Sequence, residues 1–358
     1  MCRDQLRAFQ AWLENTPALK ERLSDRKARE EAQVLLQFEA LKRKRSYPPS
    51  VLEAMKGALA ALEKLDDGEA AGAVPNWFVP PYEVELGEVI GRGSVAEVYH
   101  GKWFDTDVVV KKLMPASSSS SNDECELGAF RQEADIWFML NHENVVHLYG
   151  ACHVGTPFFV CELAKSTSLS AHVEARAEQR IDYDPNQKGG NHSDVLRCLY
   201  VAGLGLKYLH ARDIFHGDLK GNNFMVGTDE KNIKLGDFGL SVLKRQKGGK
   251  EDAHKVLGAY RWKAPECLLG LTGPTAESDT FGFGMCILEL ISGKFPWGST
   301  MPDPAVKFLV TKRKSLPPRP AGFTDIQWSL IQRMCCFDPK ERISLAAVVD
   351  MLYSFRFI

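Results

Sequence analysis

The run from His216 to Gly239 constrains this chain more than any other stretch: HGDLKGNN opens it and, after a short strand-like segment, DFG closes it. The run supplies a carboxylate (Asp218), a lysine (Lys220), an amide (Asn223) and a second carboxylate (Asp237). Transfer of a phosphoryl group to a hydroxyl asks for this set and little else. Its transition state is loose and rich in negative charge, so a protein mainly positions the reactants and surrounds that charge with metal and cation. Asp218 suits the task of orienting an acceptor hydroxyl and taking its proton. Asn223 and Asp237 are hard oxygen donors of the kind magnesium prefers, and Lys220 is suited to neutralising the transferring group.

Other segments follow in a fixed order. IGRGSVAEVY carries Gly91, Gly93 and Val98; VVVKKL carries Lys111; FRQEADIWFMLNHENVVHLYG puts Glu133 on an expected helix; downstream stand GAYRWKAPE with Glu266, ESDTFGFG with Asp279 and DPKERIS with Arg342. Taken singly these are weak signals, since a G-x-G is usually an ordinary turn and a strand lysine a solvated charge. Their ordered joint occurrence is specific. From Trp77 to the end the chain resembles the eukaryotic protein kinases, most closely the tyrosine kinase-like group of serine/threonine type.

The resemblance implies an α+β, two-lobed protein kinase fold, with a small antiparallel β lobe bearing one helix and a larger, mostly helical lobe, preceded by a short all-helical segment. It implies ATP and Mg2+ as cofactors and protein substrates phosphorylated on serine or threonine, Lys220 after Asp218 being the mark of that class. Asp218, Lys220, Asn223 and Asp237 become the catalytic set, with Asn223 and Asp237 on the metal. Gly91 and Gly93 would cover the phosphates, Lys111 would hold them, and Glu133 would pair with Lys111. The stretch PFFVCELAKSTSL resembles the hinge, with Cys161 as gatekeeper and Glu162 to Ala164 offering backbone hydrogen bonds to adenine. Ile90, Val98 and Val109 would form the roof of that pocket and Met225 its floor, while Glu266 and Arg342 would make a buried ion pair.

Three departures from the family pattern stand out. Ala96 replaces the third glycine, Gly217 replaces the arginine of His-Arg-Asp, and Ala259 replaces a threonine that bonds the catalytic aspartate and lysine. From Val242 to Ala259 there is no serine, threonine or tyrosine to phosphorylate. These departures are the case for the alternative, a pseudokinase or scaffold that binds nucleotide and partners without turnover; the intact catalytic set is the case against it.

Before the kinase-like region, residues 1–75 read as a helical segment plus linker, with 76–358 the kinase domain. Apolar residues recur at helical spacing at Leu6, Phe9 and Leu13, at Leu35, Phe38 and Leu41, and at Leu52, Met55, Leu59 and Leu62. Pro17 marks a possible start for a second helix, and Ser50 to Glu53 reads as a capping box opening a third. These helices are either an extension packed on the kinase or a dock for a protein partner. The basic run Lys42 to Arg45 reads as the solvated end of a helix or as a nuclear address. Glu174 to Asp194 reads as a surface loop between helices, and Ser117 to Ser121 as a flexible one.

Composition narrows the setting. A hydrophobic fraction of 44% fills a core, and a net charge of −1 argues against a nucleic-acid partner. Nine cysteines without a C-x-x-C read as reduced thiols of a cytoplasmic or nuclear protein. The longest apolar stretch, Phe281 to Ile291, is too short to span a bilayer, so no membrane association is expected.

Overall fold

The structure is a computed structural model that describes residues 25–65, 72–93, 96–114, 123–164, 167–179, 192–229, 232–239, 241–243 and 260–355. The small lobe is a five-stranded antiparallel sheet of β1 (Val84–Arg92), β2 (Ala96–Trp103), β3 (Thr106–Leu113), β4 (Leu148–Cys152) and β5 (Phe158–Glu162), in the order β1-β2-β3-β5-β4. Alternation along β3 sets its two faces. Val108 and Val110 are fully buried against the lobe's core, which sends Val109 and Lys111 to the opposite face. In register, Val109 pairs with Cys161 and Lys111 with Phe159 of β5, so these residues of the two strands share one face, on which Phe159 is covered by Phe130 and Trp137.

One helix, α3 (Asp123–Phe138), packs on this sheet through Phe130, Ala134, Ile136 and Trp137, all buried. Trp77 fastens it from the side: its indole N–H donates to Asp135 Oδ1 at 2.6 Å, its ring meets Phe130 edge-on at 6.1 Å, and its carbonyl accepts from the Ala151 amide at 2.7 Å.

The large lobe is helical, with α4 (Leu169–Gln179), α5 (Ser193–His210), α6 (Pro265–Leu268), α7 (Ala276–Ser292), α8 (Asp303–Phe308), α9 (Asp325–Met334) and α10 (Leu345–Phe355). Helix α7 is apolar all round, as a helix at the centre of a domain must be, and Phe281, Phe283, Met285 and Cys286 are fully buried. It is bounded by signals in its own sequence. Thr275 and Ser278 form a reciprocal capping box at one end, and Gly293 with φ +64 ends it at the other. Short pairs β6 (Ile214–Phe215) with β9 (Val242–Leu243) and β7 (Phe224–Val226) with β8 (Ile233–Leu235) hold the loops at the cleft. The expected two-lobed α+β architecture is therefore what the chain adopts.

Several finer expectations change. The first described helix, α1 (Arg26–Lys42), starts at the N-cap Asp25, whose carboxylate accepts from the amides of Lys27 and Ala28. Helix α2 (Pro49–Leu65) opens at Pro49, with the Pro48 carbonyl accepting from Val51 and Leu52; Ser50 is therefore inside the helix and caps nothing. Proline's preset φ at the first helical position outcompetes the serine cap. Helix α4 runs to Gln179, so the Glu174 end of the supposed loop is helical. Leu41 of the second apolar triplet is exposed. Leu6, Phe9, Leu13, Pro17, Ser117 to Ser121, Ala259 and most of the candidate linker lie outside the described residues.

Helices α1 and α2 pack on each other through Ala40, Val51 and Met55, and α1 reaches the small lobe through Val34, Leu35 and Phe38. Phe38 meets Phe78 edge-on at 5.4 Å. Arg43 bridges to Glu83 at 2.5 Å and lies over the rings of Phe38 and Phe104, while Lys42 donates to Asn76 Oδ1 at 3.2 Å. Half of the basic run is thus engaged with the small lobe.

Candidate active site

Two clusters face the cleft, one joining the two lobes and one within the large lobe. In the first, Lys111 Nζ lies 2.9 Å from Asp237 Oδ1 and 3.4 Å from Glu133 Oε1, joining a strand, a helix and a loop up to 126 positions apart in the chain. Burial lowers the Lys111 pKa and the two carboxylates raise it, the carboxylates winning. Burial pushes the Glu133 carboxyl above its usual range against the pull of Lys111; burial raises Asp237 as well, but Lys111, His216 and Lys220 together hold it below its own. Asp237 has φ +64, a left-handed backbone that costs a non-glycine residue energy. A strained carboxylate held on an ammonium is a set-up group.

The second cluster is the loop from His216 to Asn223. Lys220 Nζ donates to Asp218 Oδ2 at 2.7 Å, and Asn223 Nδ2 donates to the Asp218 carbonyl at 2.7 Å and more weakly to Oδ2 at 3.5 Å. The backbone beneath is held by buried carboxylates. Asp279 on α7 accepts from the amides of His216 (2.8 Å) and Gly217 (2.9 Å) and contacts His210 Nε2 at 2.9 Å. Burial raises the Asp279 pKa, but the histidines and amides hold it below the ordinary aspartate value. Glu289, also on α7, accepts from the Gly221 amide at 2.9 Å, from Trp262 Nε1 at 2.7 Å and from Ser170 Oγ at 3.0 Å. A side chain at Gly221 would run into Ser170 and Glu289, so only glycine fits. His216, fully buried, contacts the Gly236 carbonyl through Nε2 at 3.0 Å and stacks near Phe238 at 5.4 Å. Through these contacts the Asp218 loop and the Asp237 loop form one body, tied again by the Gly236 amide on the Asn223 carbonyl.

Around the cleft, Ile90, Gly91, Val98, Val109 and Met225 are half-buried, and Gly91 pairs with Val98 across β1 and β2. The amide of Gly93 bonds the carbonyl of Ala96, which is buried. Cys161 is buried beside Val109 and Leu148, and burial drives its thiol pKa far above the usual value. The Glu162 amide is taken by the His147 carbonyl and its carboxylate by Lys234, leaving its carbonyl bonded to the Ala164 amide at 3.2 Å. Far from the cleft, Arg342 forms a two-pronged pair with Glu266 at 2.6 and 2.8 Å, 76 positions away, and also donates to the carbonyls of Glu277 and Cys336.

For magnesium, the donor chemistry fits. Among the described residues no group of three or more His, Cys, Asp or Glu is arranged to hold an ion by itself. Magnesium does not require one, because it binds through one or two protein oxygens and fills the rest of its shell with phosphate and water.

Two groups at the site went unmarked by the sequence. Glu289 sits inside an apolar helix with no motif around it. Lys263, half-buried, donates from Nζ to the Gly217 carbonyl at 2.9 Å; its only signal is a lysine lodged between Trp262 and Ala264.

A family model described as "Protein tyrosine and serine/threonine kinase" matches residues 84–352. A Raf homolog serine/threonine-protein kinase of Caenorhabditis elegans is 28% identical over 284 residues, covering 77% of this chain and 33% of the relative. The serine/threonine/tyrosine-protein kinase HT1 of Arabidopsis thaliana is 26% identical over 296 residues (82% and 72%), and the RAF proto-oncogene serine/threonine-protein kinase of Xenopus laevis 28% over 243 residues (67% and 36%). The chain thus spans about a third of the length of the Raf relatives it matches.

Proposed function

We infer, from the premise that this chain belongs to the protein tyrosine and serine/threonine kinase family, that it is an active kinase transferring the γ-phosphate of ATP to serine or threonine hydroxyls of protein substrates. The observation that carries this reading is the joining of Lys111 to both Asp237 and Glu133, the arrangement a phosphate-binding lysine needs to be aimed and charged. A scaffold that only binds nucleotide needs that arrangement too, but it has no use for the Asp218 carboxylate held beside it by Lys220 and for Asn223 on the Asp218 carbonyl, which is why turnover is the better reading.

In this proposal the Lys111 ammonium binds phosphate oxygens, and Gly91 and Gly93 bring backbone amides over them without a Cβ in the way. Ile90, Val98, Val109 and Met225 enclose the adenine, with Cys161 behind it and the Glu162 carbonyl and Ala164 amide at its edge. Asn223 and Asp237 hold magnesium, which when bound neutralises charge on the phosphates. Asp218 accepts the proton of the acceptor hydroxyl at its carboxylate, and Lys220, already on that carboxylate, is within reach of the transferring group. The family uses ATP and magnesium; the assignment of these ligands is the proposal.

The division at 75/76 is likewise proposed, with α1 as an extension docked on the small lobe; the contacts of Phe38 and Arg43 support it. Among the described residues no helix is long and apolar enough to cross a membrane. The eight described cysteines are free thiols, which supports a cytoplasmic or nuclear setting. Incubating the full chain with labelled ATP, magnesium and a basic protein substrate, followed by phosphoamino-acid analysis, tests the whole reading. Label on serine or threonine that disappears in Asp218→Asn is the expected result; label on tyrosine alone, or none, overturns it.

A further inference from the structure

We propose that Lys263 is a positioning residue for the catalytic loop: its ammonium grips the carbonyl of Gly217 and thereby fixes the peptide that carries Asp218. The proposal rests on the reading of Asp218 as the group that receives the acceptor's proton.

The geometry is that of a peptide held from both sides. The Gly217–Asp218 peptide has its carbonyl on Lys263 Nζ at 2.9 Å and its amide on His216 Nδ1 at 3.2 Å. The preceding peptide donates the Gly217 amide to Asp279. Gly217 has φ +78, a conformation open to glycine and with no side chain to restrain it. The residue with the most backbone freedom in the loop is therefore the one whose carbonyl receives a dedicated cation. A long apolar side chain at 263 would fill the same space without the cost of taking an ammonium out of water, so the charge has to be explained by what it holds. The family's arginine and threonine at positions 217 and 259 are both missing here, and the lysine arrives from the segment between them and the Ala264-Pro265-Glu266 turn.

The titratable groups facing Lys263 are Asp218 and Lys220 of the loop, Asp279 of α7 and Cys267 of α6, whose thiol is kept neutral by burial. Burial outweighs the acidic neighbours of Lys263 and lowers its pKa below the ordinary lysine value. Lys263 therefore gives up its proton at a milder alkaline pH than a surface lysine, and the grip on Gly217 weakens there. An arginine keeps its charge across that range.

Two measurements decide the matter. In steady-state assays of the full chain at matched folded fraction, Lys263→Met lowers kcat about tenfold with the KM for ATP changed less than about twofold, the loss of one charge-assisted hydrogen bond acting on the loop alone. Lys263→Arg restores most of kcat and removes the alkaline decline of wild type. Independently of activity, the chain contains only two Gly-Asp pairs, 217–218 and 236–237, so labelling glycine carbonyls with 13C and aspartate amides with 15N gives two NMR signals. The 217–218 signal shifts with alkaline pH in wild type and moves to its alkaline position in Lys263→Met at neutral pH. An unmoved 217–218 signal in Lys263→Met overturns the proposal even if wild type transfers no phosphate. An unchanged kcat in a folded Lys263→Met whose signal has moved overturns it as well, because the grip then has no effect on the loop's work. Loss of label in wild type with the NMR result intact counts against the kinase reading alone.

Discussion

The interior of the large lobe and the cleft between the lobes place carboxylates against cations in opposite ways. In the large lobe, Glu266 and Arg342 are buried and pair through two short bonds, with two further guanidinium donors spent on carbonyls. Between the lobes, Lys111 and Glu133 of the small lobe meet Asp237 of a large-lobe loop, and the Asp237 side chain is 42% exposed. The first arrangement is sealed from solvent and faces nothing that could arrive. The second is loosely bonded, half open and strained at Asp237, which are properties of a group kept ready for a ligand. The same chemistry therefore does structural work where it is sealed and functional work where it is not.

The largest expected effects come from breaking each arrangement in turn. Arg342→Met strands the Glu266 carboxylate in the interior and costs about 3–5 kcal/mol of stability. Chemical denaturation should show that loss, with activity falling only in proportion to unfolded protein. Asp237→Asn should do the reverse: transfer falls by at least about a hundredfold, as expected for a charged group acting on the transition state, while stability changes by less than about 1 kcal/mol because the carboxylate is partly solvated. If Asp237→Asn unfolds the protein, or Arg342→Met leaves it as stable as wild type, the contrast between sealed and open pairs fails.

The small lobe also buries a histidine without a full set of hydrogen-bond partners. His153 is buried between Trp77 and Phe78, at ring distances of 5.5 and 5.3 Å, and its Nδ1 has no hydrogen-bond partner among the described residues. Burial lowers its pKa to about 4, with Arg131 adding to the effect. The folded state thus binds this proton less readily than the unfolded one. The neutral histidine's contribution is complete above pH 6.5 and is lost as pH falls toward 4, to an upper limit of about 3 kcal/mol. His153→Phe should flatten stability against pH in that window. An equal slope in both proteins would move the acid sensitivity elsewhere.

A smaller effect concerns thiol chemistry at the cleft. Cys161 is buried with its pKa driven up, whereas Cys125 is exposed. A thiol held protonated is a poor nucleophile. At neutral pH a simple electrophile should label Cys125 well before Cys161, as read by peptide mass spectrometry; rapid labelling of Cys161 would mean that the cleft opens further than this arrangement allows.

How much of this was legible in the sequence follows from where each group's constraint comes from. Asp218, Asn223 and Asp237 are fixed by chemistry within one short run, so their types and spacing survive as a readable pattern. Glu133, Glu266 and Arg342 were legible only as members of an ordered set. Glu289 was not, because its partners, Gly221, Trp262 and Ser170, come from three separate segments. Lys263 was hidden for the same reason, its acceptor being 46 positions away. Helix boundaries misled where two local preferences competed, as at Pro49 and Ser50. The docking of Arg43 on Glu83 and Phe104 could not be read from a basic run, whose composition says nothing of what it faces.

The smallest expected effect is the absence of one. The resemblance links the missing arginine at 217 to pairing with a phosphorylated loop, and from Val242 to Ala259 there is no hydroxyl to phosphorylate. A phosphate that cannot arrive cannot order the loop, so phosphatase treatment should leave activity within about twofold of untreated enzyme. The sharper test is Gly217→Arg. With φ +78 at this position, any side chain carries a backbone cost of about 1–2 kcal/mol, and the new guanidinium adds positive charge beside Lys263 and Lys220, which already serve the Gly217 carbonyl and Asp218. The variant should therefore be slightly less stable and no more active, and still indifferent to phosphatase. A gain in activity that phosphatase abolishes would mean that a phosphorylated group elsewhere in the chain reaches this site, and a cation held on the large lobe's own loop would then be open and ligand-ready, erasing the difference between that lobe's interior and the cleft.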